Sequence, residues 1–524
     1  MSAVSSPTRQ PASIDAPVLL DRLDQRVTAA AEVLLDLSTR PYDVDHPGGA
    51  TAYLLPRLMT ICADHERADA RWLVLTAVFG AFPTPQEVLD FGRMVELTDP
   101  AHAESILLGE VIDQPRRGRL DLPMRVLTDT VVVEVNYCAR HATHTGIQRT
   151  VRETLPRWDA QHELTAVAWS DPWCAFQSLT PTEMSRVFAH AETESRETQQ
   201  AADRYGAEGE ASEDTTYVQE LIVPWRSSVV LPDVFSMPAK DQLVGLARFS
   251  GNTVSMIGYD LIPLTSPETR PVGEANGTAA YLSMLKHAHR VAGISRSAVS
   301  EFTGFTHSLR AQGLPGPVVK EVRLSSESLR EGPEASAPRS ARSRPVMLCL
   351  GAQEPHKNQR AALHAAERLW REGLDFEVHL VGGRGWSDEV LKPAVDRLLA
   401  AGRPLRNLGR LSDADLLAEM RAADFAYFAS LHEGYGLPVA ETLAVGTPVI
   451  TSNFGSQAEI GELGGCVLID PRDDDDVAAG IRTLLTDPGE LTRLRSEAAA
   501  LTVRTWDDYA ADLWAFVAPT GAAS

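Results

Sequence analysis

The chain of 524 residues has little of several features that mark other classes of protein. It contains only five cysteines, scattered and without C-x-x-C spacing, so the sequence predicts neither a disulfide framework nor a zinc site. Lysine occurs only at positions 240, 286, 320, 357 and 392, and the other basic residues are arginine. Acidic residues outnumber basic ones and give a net charge of −22, which argues against nucleic acid as a partner.

Long hydrophobic runs are also missing. No run approaches the roughly 20 apolar residues that a membrane-spanning helix needs, and the N-terminus lacks a charged-then-apolar leader pattern. A cytoplasmic location is therefore expected. The hydrophobic fraction of 44% is ordinary, and the length suffices for two or three domains with their own cores.

The first part of the chain has apolar residues at helical spacing. Residues 1–16 are rich in Ser, Pro and Ala and are expected to be a disordered tail. Residues 17–125 are predicted to form a small helical extension, with helices over 18–37, 51–63, 69–80 and 84–97. Three uses stay open for it: formation of a homo-oligomer, packing against the rest of the chain, and recruitment of a substrate. Arg116–Arg119 is predicted to be a solvated loop, with contact to anionic lipid as the alternative.

From Thr130 onwards, strands alternate with helices. Strands are predicted at 131–135, 228–231, 253–257, 291–294, 346–351, 376–381 and 425–429. A segment at 331–345 without apolar periodicity separates two such repeats. The sequence therefore predicts an α/β protein with two doubly wound domains, residues 126–330 and 346–505, followed by a C-terminal helix and tail at 506–524.

The stretch His432–Glu441 carries the clearest chemical pattern. It follows a predicted strand at 425–429, and Gly434 and Gly436 would let the backbone approach a ligand. Pro438 suits the first turn of a helix, whose free N–H groups favour an anion. The order is therefore strand, glycine-rich loop and helix start.

Two carboxylates, Glu433 and Glu441, bracket this expected anion site. Acids beside an anion repel it unless they face its neutral hydroxyl groups. A phosphate flanked by sugars satisfies both conditions, whereas the alternative is an ordinary strand–loop–helix turn.

Other strand ends carry further candidates. Lys357 follows the strand predicted at 346–351, where its ammonium can neutralise an anionic leaving group. Arg384 follows another strand within Gly-Gly-Arg-Gly-Trp. Asp260 lies where a strand leaves the sheet, the place at which α/β proteins bind ligands, with a simple Asx turn as the alternative. The acidic run Asp473–Asp476 is predicted to start a helix, because its spacing is not that of a metal loop.

The segment Glu433–Pro438, together with Glu441, resembles the E-x7-E signature of the retaining family 4 glycosyltransferases. The resemblance spans roughly residues 128 to 510 and includes Gly-Ile-Gln-Arg at 146–149, Asp-Leu-Ile-Pro at 260–263 and Glu-Pro-His-Lys-Asn at 354–358. It implies the GT-B architecture, in which two Rossmann-like domains face a cleft. It also implies retaining transfer of a hexose or deoxyhexose from a nucleotide-diphosphate sugar to a glycan, lipid-linked or other hydroxyl acceptor.

The resemblance also implies roles for particular residues. Lys357 and Arg384 would stabilise the diphosphate, and Glu433 would lie near the sugar; no metal or further cofactor is expected. Arg384 is needed because the position after Gly351, often Arg in the family, is Ala352 here. Further donor contacts are expected from Gly434, Tyr435, Gly436, Leu437, Glu441, Gly351 and Asn358. Acceptor-side candidates are Gly146, Arg149, Asp260 and His144, with His141 as another assisting histidine.

The similar sequences belong to a bacterial surface-polysaccharide mannosyl- or rhamnosyl-transferase-like branch. Mannose, rhamnose or fucose linked to GDP, dTDP or UDP are therefore the first donor candidates. The resemblance also allows peripheral contact of the protein with the inner face of the membrane. Two other classes stay open. One is a catalytically inactive relative that acts as a partner or scaffold, and the other is an enzyme similar to nucleotide-sugar epimerases.

Overall fold

The computed structural model describes residues 16–35, 37, 49–141, 145–188, 219–235, 237–271, 273–327, 344–386 and 388–518. The chain divides into two compact units, each described by itself. Unit 1 comprises residues 1–256, 280–290 and 517–524, and unit 2 comprises 257–279 and 291–516. Each unit combines separate segments of the chain, whereas each predicted domain is one continuous segment. The predicted domain boundaries therefore remain predictions. The predicted segment at 331–345 lies mostly outside the described residues, as does the N-terminal tail.

Unit 1 begins with five helices. They are α1 Ala16–Leu34, α2 Gly49–Cys62, α3 Ala68–Phe79, α4 Pro85–Leu97 and α5 Pro100–Asp113. The first four confirm the predicted helices to within three residues at each end. A capping box starts α4, because Thr84 Oγ1 accepts from the Glu87 N–H while the Glu87 carboxylate accepts from the Thr84 N–H. The fifth helix was not predicted.

These front helices share a core with the strands that follow. The Phe82 ring lies 5.2 Å from the ring of Phe176 and 6.0 Å from that of Trp169. The buried guanidinium of Arg26 donates from Nε to the Ala77 carbonyl at 2.7 Å. Its Nη1 donates to the carbonyls of Leu120 and Leu122. Of the three uses left open for the extension, packing against the rest of the chain is therefore observed.

Within the described residues, nine strands form the first sheet, in the order β1-β5-β4-β3-β2-β6-β7-β8-β9. Their bounds are β1 Met124–Leu127, β2 Val131–Glu134, β3 Thr165–Trp169, β4 Phe176–Ser178, β5 Leu221–Pro224, β6 Ser228–Leu231, β7 Thr253–Gly258, β8 Arg290–Gly293 and β9 Val318–Glu321. β4 is antiparallel to both of its neighbours, whereas β2 is parallel to β3 and β6. The all-buried β2 fits a parallel strand that is covered on both faces.

Helices connect these strands. They are α6 Asn136–Arg140, α7 Gly146–Gln161, α8 Pro181–Phe188, α9 Lys240–Phe249, α10 Ile262–Thr265, α11 Ala275–Leu285 and α12 Arg296–Leu309. α7 begins at Gly146, so Arg149 belongs to its first turn and not to a loop before it.

The second sheet lies in unit 2, and the part of the chain that the structure describes gives it six parallel strands in the order β12-β11-β10-β13-β14-β15. They are β10 Val346–Leu350, β11 Glu377–Val381, β12 Leu405–Gly409, β13 Phe425–Phe428, β14 Val449–Ser452 and β15 Cys466–Ile469. Phe376, Phe425, Ile450 and Ile481 are fully buried in its core. The predicted α/β class with two mainly parallel sheets is confirmed.

The helices of this sheet are α13 Gln359–Arg371, α14 Asp388–Ala400, α15 Asp413–Ala422, α16 Leu437–Ala444, α17 Gly455–Gly461, α18 Asp474–Thr486 and α19 Pro488–Ala500. The last described helix of the chain is α20 Trp506–Val517. Asp473 accepts from the N–H groups of Asp475 and Asp476 at the start of α18, which confirms the predicted helix start. Within the described ranges, no helix combines the length and apolar character needed to cross a membrane.

Candidate functional site

Lys357 and Glu433 form an ion pair in unit 2. Lys357 ends a short 3-10 turn after β10, and Glu433 lies in the loop after β13. These two strands are parallel neighbours, so the loops after them emerge at the same edge of the sheet. Lys357 Nζ donates to Glu433 Oε1 at 2.6 Å and lies 5.1 Å from the Phe428 ring. Two residues predicted separately therefore occupy one site.

The pair is largely shielded from solvent, with side-chain exposures of 17% for Lys357 and 11% for Glu433. Burial opposes ionisation of Glu433, but the charge and hydrogen bond of Lys357 outweigh it and hold the pKa below its usual value. The neighbouring His356 is buried, and burial together with the charge of Lys357 lowers its pKa to about 4. His356 is therefore neutral near pH 7, and Lys357 is the cation that faces Glu433.

The loop after Glu433 depends on glycine. A Cβ atom on Gly434 would lie 2.2 Å from the Tyr259 carbonyl oxygen, so a side chain would require the loop to move. The Gly434 carbonyl accepts from Ser295 Oγ at 2.7 Å. Gly436, with φ of +106°, caps α16, whose first turn contains Leu437 and Pro438. The predicted helix start is confirmed, but Pro438 has no N–H, and the N–H groups of Val439 and Ala440 donate to the Gly436 carbonyl.

Two other predicted donor residues use their polar groups within the protein. The Tyr435 ring is buried, and its hydroxyl donates to the Leu324 carbonyl at 3.2 Å. Asn358 has φ of +52°, and its side-chain amide donates to the Pro471 carbonyl at 2.7 Å. Glu441 is 5% exposed in α16. Their predicted contacts with a donor remain predictions.

The loops after β10 and β11 lie side by side. Gly351, with φ of +110°, directly follows β10, and an added Cβ would lie 3.1 Å from the Phe428 ring. Gln353 N–H donates to the Gly383 carbonyl at 2.9 Å, and Gln353 pairs with Arg384 in an isolated bridge. The exposed Arg384 is thus carried by a backbone segment that adjoins the loop leading to Lys357.

A second group of charged residues adjoins Glu433. His432 Nε2 lies 2.5 Å from Glu301 Oε1, and the other Glu301 oxygen accepts from the Leu261 N–H at 2.7 Å. Asp260 makes the Asx turn considered from the sequence, with its carboxylate accepting from the Ile262 N–H. Burial raises the pKa of Asp260, and the nearby carboxylates of Glu301 and Glu433 add to the shift. Asp260 therefore belongs to the neighbourhood of Glu433.

Sequence reasoning gave no role to His432, Glu301 or His356. His432 directly precedes Glu433, and His356 directly precedes Lys357, so adjacency was an available signal for both. Glu301 lies inside α12 without any motif, and nothing in the sequence relates it to position 432.

The predicted acceptor-side residues Gly146 and Arg149 belong to unit 1. Gly146 is the first residue of α7, and Arg149 donates its N–H to the Thr145 carbonyl. His144 lies outside the described residues. The His141 N–H donates to the Tyr137 carbonyl at the end of α6. The acceptor roles of these residues remain predictions.

Comparison with known proteins identifies a family domain in this part of the chain. Residues 334–501 match the family described as Glycosyl transferases group 1, so the chain contains a glycosyl transferases group 1 domain. That domain includes Lys357, Glu433 and the loops around them.

The chain is 25% identical to the serotype-specific mannosyltransferase WbdA of Escherichia coli over 476 residues, 84% of this chain and 53% of that protein. It is 38% identical to the O-antigen chain mannosyltransferase B of Escherichia coli over 142 residues, 27% of this chain and 36% of that protein. The chain thus spans 53% of the length of that WbdA relative. A crystal structure of Anabaena Alr3699/HepE in complex with UDP and glucose is 13% identical, covering 74% of this chain and 95% of that one, with a TM-score of 0.47.

Proposed function

We propose that the protein is a retaining glycosyltransferase that moves a hexose or deoxyhexose from a nucleotide-diphosphate sugar to a glycan or lipid-linked hydroxyl acceptor. The observation that carries the proposal is the Lys357–Glu433 pair beside the start of α16, inside a glycosyl transferases group 1 domain. The names of the relatives, which are mannosyltransferases, support mannose as the first donor sugar.

The pair supplies the two kinds of group that this reaction needs. A nucleoside diphosphate leaves with developing negative charge, while positive charge develops at the anomeric carbon. An ammonium has three N–H donors, so Lys357 can bind phosphate oxygens while it keeps one hydrogen bond to Glu433. The start of α16 at Leu437 adds the positive end of a helix dipole, which favours an anion.

Glu433 is proposed to position the sugar. Its pKa below the usual value keeps the carboxylate ionised at neutral pH, so it accepts hydrogen bonds from sugar hydroxyls and does not act as a proton donor. Arg384 is proposed as a second cation on the diphosphate. The proposed reaction uses these cations in place of a metal ion and is located in the cytoplasm or at the inner membrane face.

Donor turnover tests this proposal. GDP-mannose, UDP-glucose and dTDP-rhamnose are incubated with the protein, with and without EDTA, and released nucleoside diphosphate and sugar are measured. We expect release from one donor class, unaffected by EDTA, and at least about 100-fold slower in Lys357→Ala because a charge-stabilising donor is lost. Lys392→Ala is the matched control, since this exposed lysine pairs with Asp396 within α14.

Three other outcomes of this assay would contradict the proposed function or its site. Equal rates in Lys357→Ala and the wild type would contradict the assigned site. Epimerised sugar without transfer or hydrolysis would favour the epimerase-like alternative. No release from any donor would favour an inactive relative.

A further inference from the structure

His432 and Glu301 connect the two loops that bear the acidic residues of the site. Glu301 projects from α12, and its side chain is 13% exposed. One of its carboxylate oxygens lies 2.5 Å from His432 Nε2, and the other accepts from the Leu261 N–H at 2.7 Å. A single carboxylate therefore joins the residue after Asp260 to the residue before Glu433.

The other nitrogen of the His432 ring also has partners. Nδ1 lies 3.1 Å from Ser266 Oγ and 3.3 Å from Thr265 Oγ1. Thr265 gives its own hydroxyl proton to the Leu261 carbonyl, so its oxygen faces Nδ1 as an acceptor. A carboxylate on one nitrogen and an acceptor hydroxyl on the other fit an imidazole that carries a proton on both nitrogens. Because both ring nitrogens have hydrogen-bond partners, the side chain of His432 has no polar atom left for a substrate.

The charges around His432 explain why a cation is favoured there. His432 is faced by Glu301 from α12, by Asp260 from the loop after β7 and by Glu433 from its own loop. Burial lowers the pKa of His432, but the hydrogen bond and charge of Glu301 and the other two carboxylates outweigh it and raise the pKa. The neutral His356 lies on the Lys357 side of the group. The three carboxylates are thus offset by Lys357, by the imidazolium of His432 and, on the Asp260 side, by the guanidinium of Arg270.

We propose that His432 and Glu301 are a positioning pair for the transfer step: they fix the Asp260 loop against the Glu433 loop and balance their carboxylates, so that Glu433 keeps its charge and orientation. The inference rests on the proposed function. Because neither residue binds the nucleotide, losing the pair affects kcat, while the affinity for the nucleoside diphosphate is kept.

The kinetic test compares Glu301→Gln and His432→Gln with the wild type between pH 5.5 and 9. His364→Gln is the matched control, because His364 also faces a carboxylate, that of Asp474 at 3.7 Å, but is exposed. We expect kcat to fall about 10- to 100-fold in both pair variants, since small misplacements at a reacting centre have effects of that order. The Kd of the nucleoside diphosphate, measured by calorimetry, is expected to change less than about threefold.

The pH profile separates a charge-bearing pair from a merely structural contact. In the wild type, kcat is expected to decline on the alkaline side as His432 loses its proton. This limb should move to lower pH in Glu301→Gln and be absent in His432→Gln. Unchanged profiles, or a loss that appears only in nucleotide affinity, would overturn the inference.

A spectroscopic readout keeps the inference independent of turnover. Imidazole NMR titration is expected to show His432 losing its proton at higher pH in the wild type than in Glu301→Gln, because the hydrogen bond and charge of Glu301 raise its pKa. If the wild type turns over no nucleotide sugar but this order is seen, the proposed function fails while the charged pair stands. His432 losing its proton at the same pH in the wild type and in Glu301→Gln, or at a lower pH in the wild type, would refute the pair.

Discussion

Replacing the members of the Lys357–Glu433 pair gives a quantitative test of the site. Lys357→Met keeps the length of the side chain without its charge, and Glu433→Gln keeps the shape of the carboxylate without its charge. Breaking a fully buried ion pair by removing one partner costs about 3–5 kcal/mol, because the remaining charge is left uncompensated. Since these side chains are 17% and 11% exposed, we expect about 2–3 kcal/mol for Lys357→Met at pH 7.

The double variant should be less destabilised than the sum of the single variants. No uncompensated charge remains in it, so we expect a coupling free energy of about 2 kcal/mol from the double-mutant cycle. The free energy of unfolding is measured by guanidinium denaturation, with Lys392→Met as the exposed control, expected within about 0.5 kcal/mol of the wild type.

The pH dependence of the coupling has a definite sign. Glu433 has a lower pKa in the folded than in the unfolded protein, so its pair contributes fully above the unfolded value and is lost as the pH falls through the folded value. The coupling should therefore vanish in acid. Additive single variants at pH 7, with coupling below about 0.5 kcal/mol, would refute the assignment of a folded-state ion pair.

Three other predictions concern stability and loop geometry. Burial raises the pKa of Glu134 to about 8, so Glu134→Gln should stabilise the protein by about 2–3 kcal/mol at pH 7 and by little at pH 4.5, as measured by denaturation at both pH values. Arg26→Met leaves three carbonyl groups, two of them in buried contacts, without their donor and should destabilise by about 2–4 kcal/mol; a loss under 1 kcal/mol would contradict this. Gly434→Ala would place a Cβ 2.2 Å from the Tyr259 oxygen, so nucleotide-sugar turnover should fall at least about tenfold, whereas Gly304→Ala, in open space, should leave it unchanged.

Local patterns were sufficient for about half of the described strands. A run such as Val346–Leu350 is apolar throughout and buried throughout, so its sequence indicates a parallel strand without further context. Helix α5 was not predicted because its only fully buried side chains are Ala103 and Leu107, which leaves a weak apolar pattern in the sequence. A sequence pattern of that kind does not distinguish a surface helix from a loop.

The site was accessible from the sequence only in part. Lys357 and Glu433 follow strands that are adjacent in the sheet, and strand-end position together with the motif was enough to select both. The contacts of Glu301 with Leu261 and His432 join residues 40 and 131 positions apart in the chain. Such contacts depend on how α12 packs, which neither periodicity nor motif spacing encodes.

The central claim is that Lys357 holds the diphosphate of a nucleotide-sugar donor, and nucleotide binding tests it most directly. Thermal unfolding of the wild type, Lys357→Ala and Lys392→Ala would be followed with GDP, UDP and dTDP. One base should stabilise the wild type and Lys392→Ala by about 2.7 kcal/mol at a hundredfold excess over Kd, with little effect on Lys357→Ala. Equal stabilisation of Lys357→Ala, or none of the wild type with any of the three, would contradict the claim.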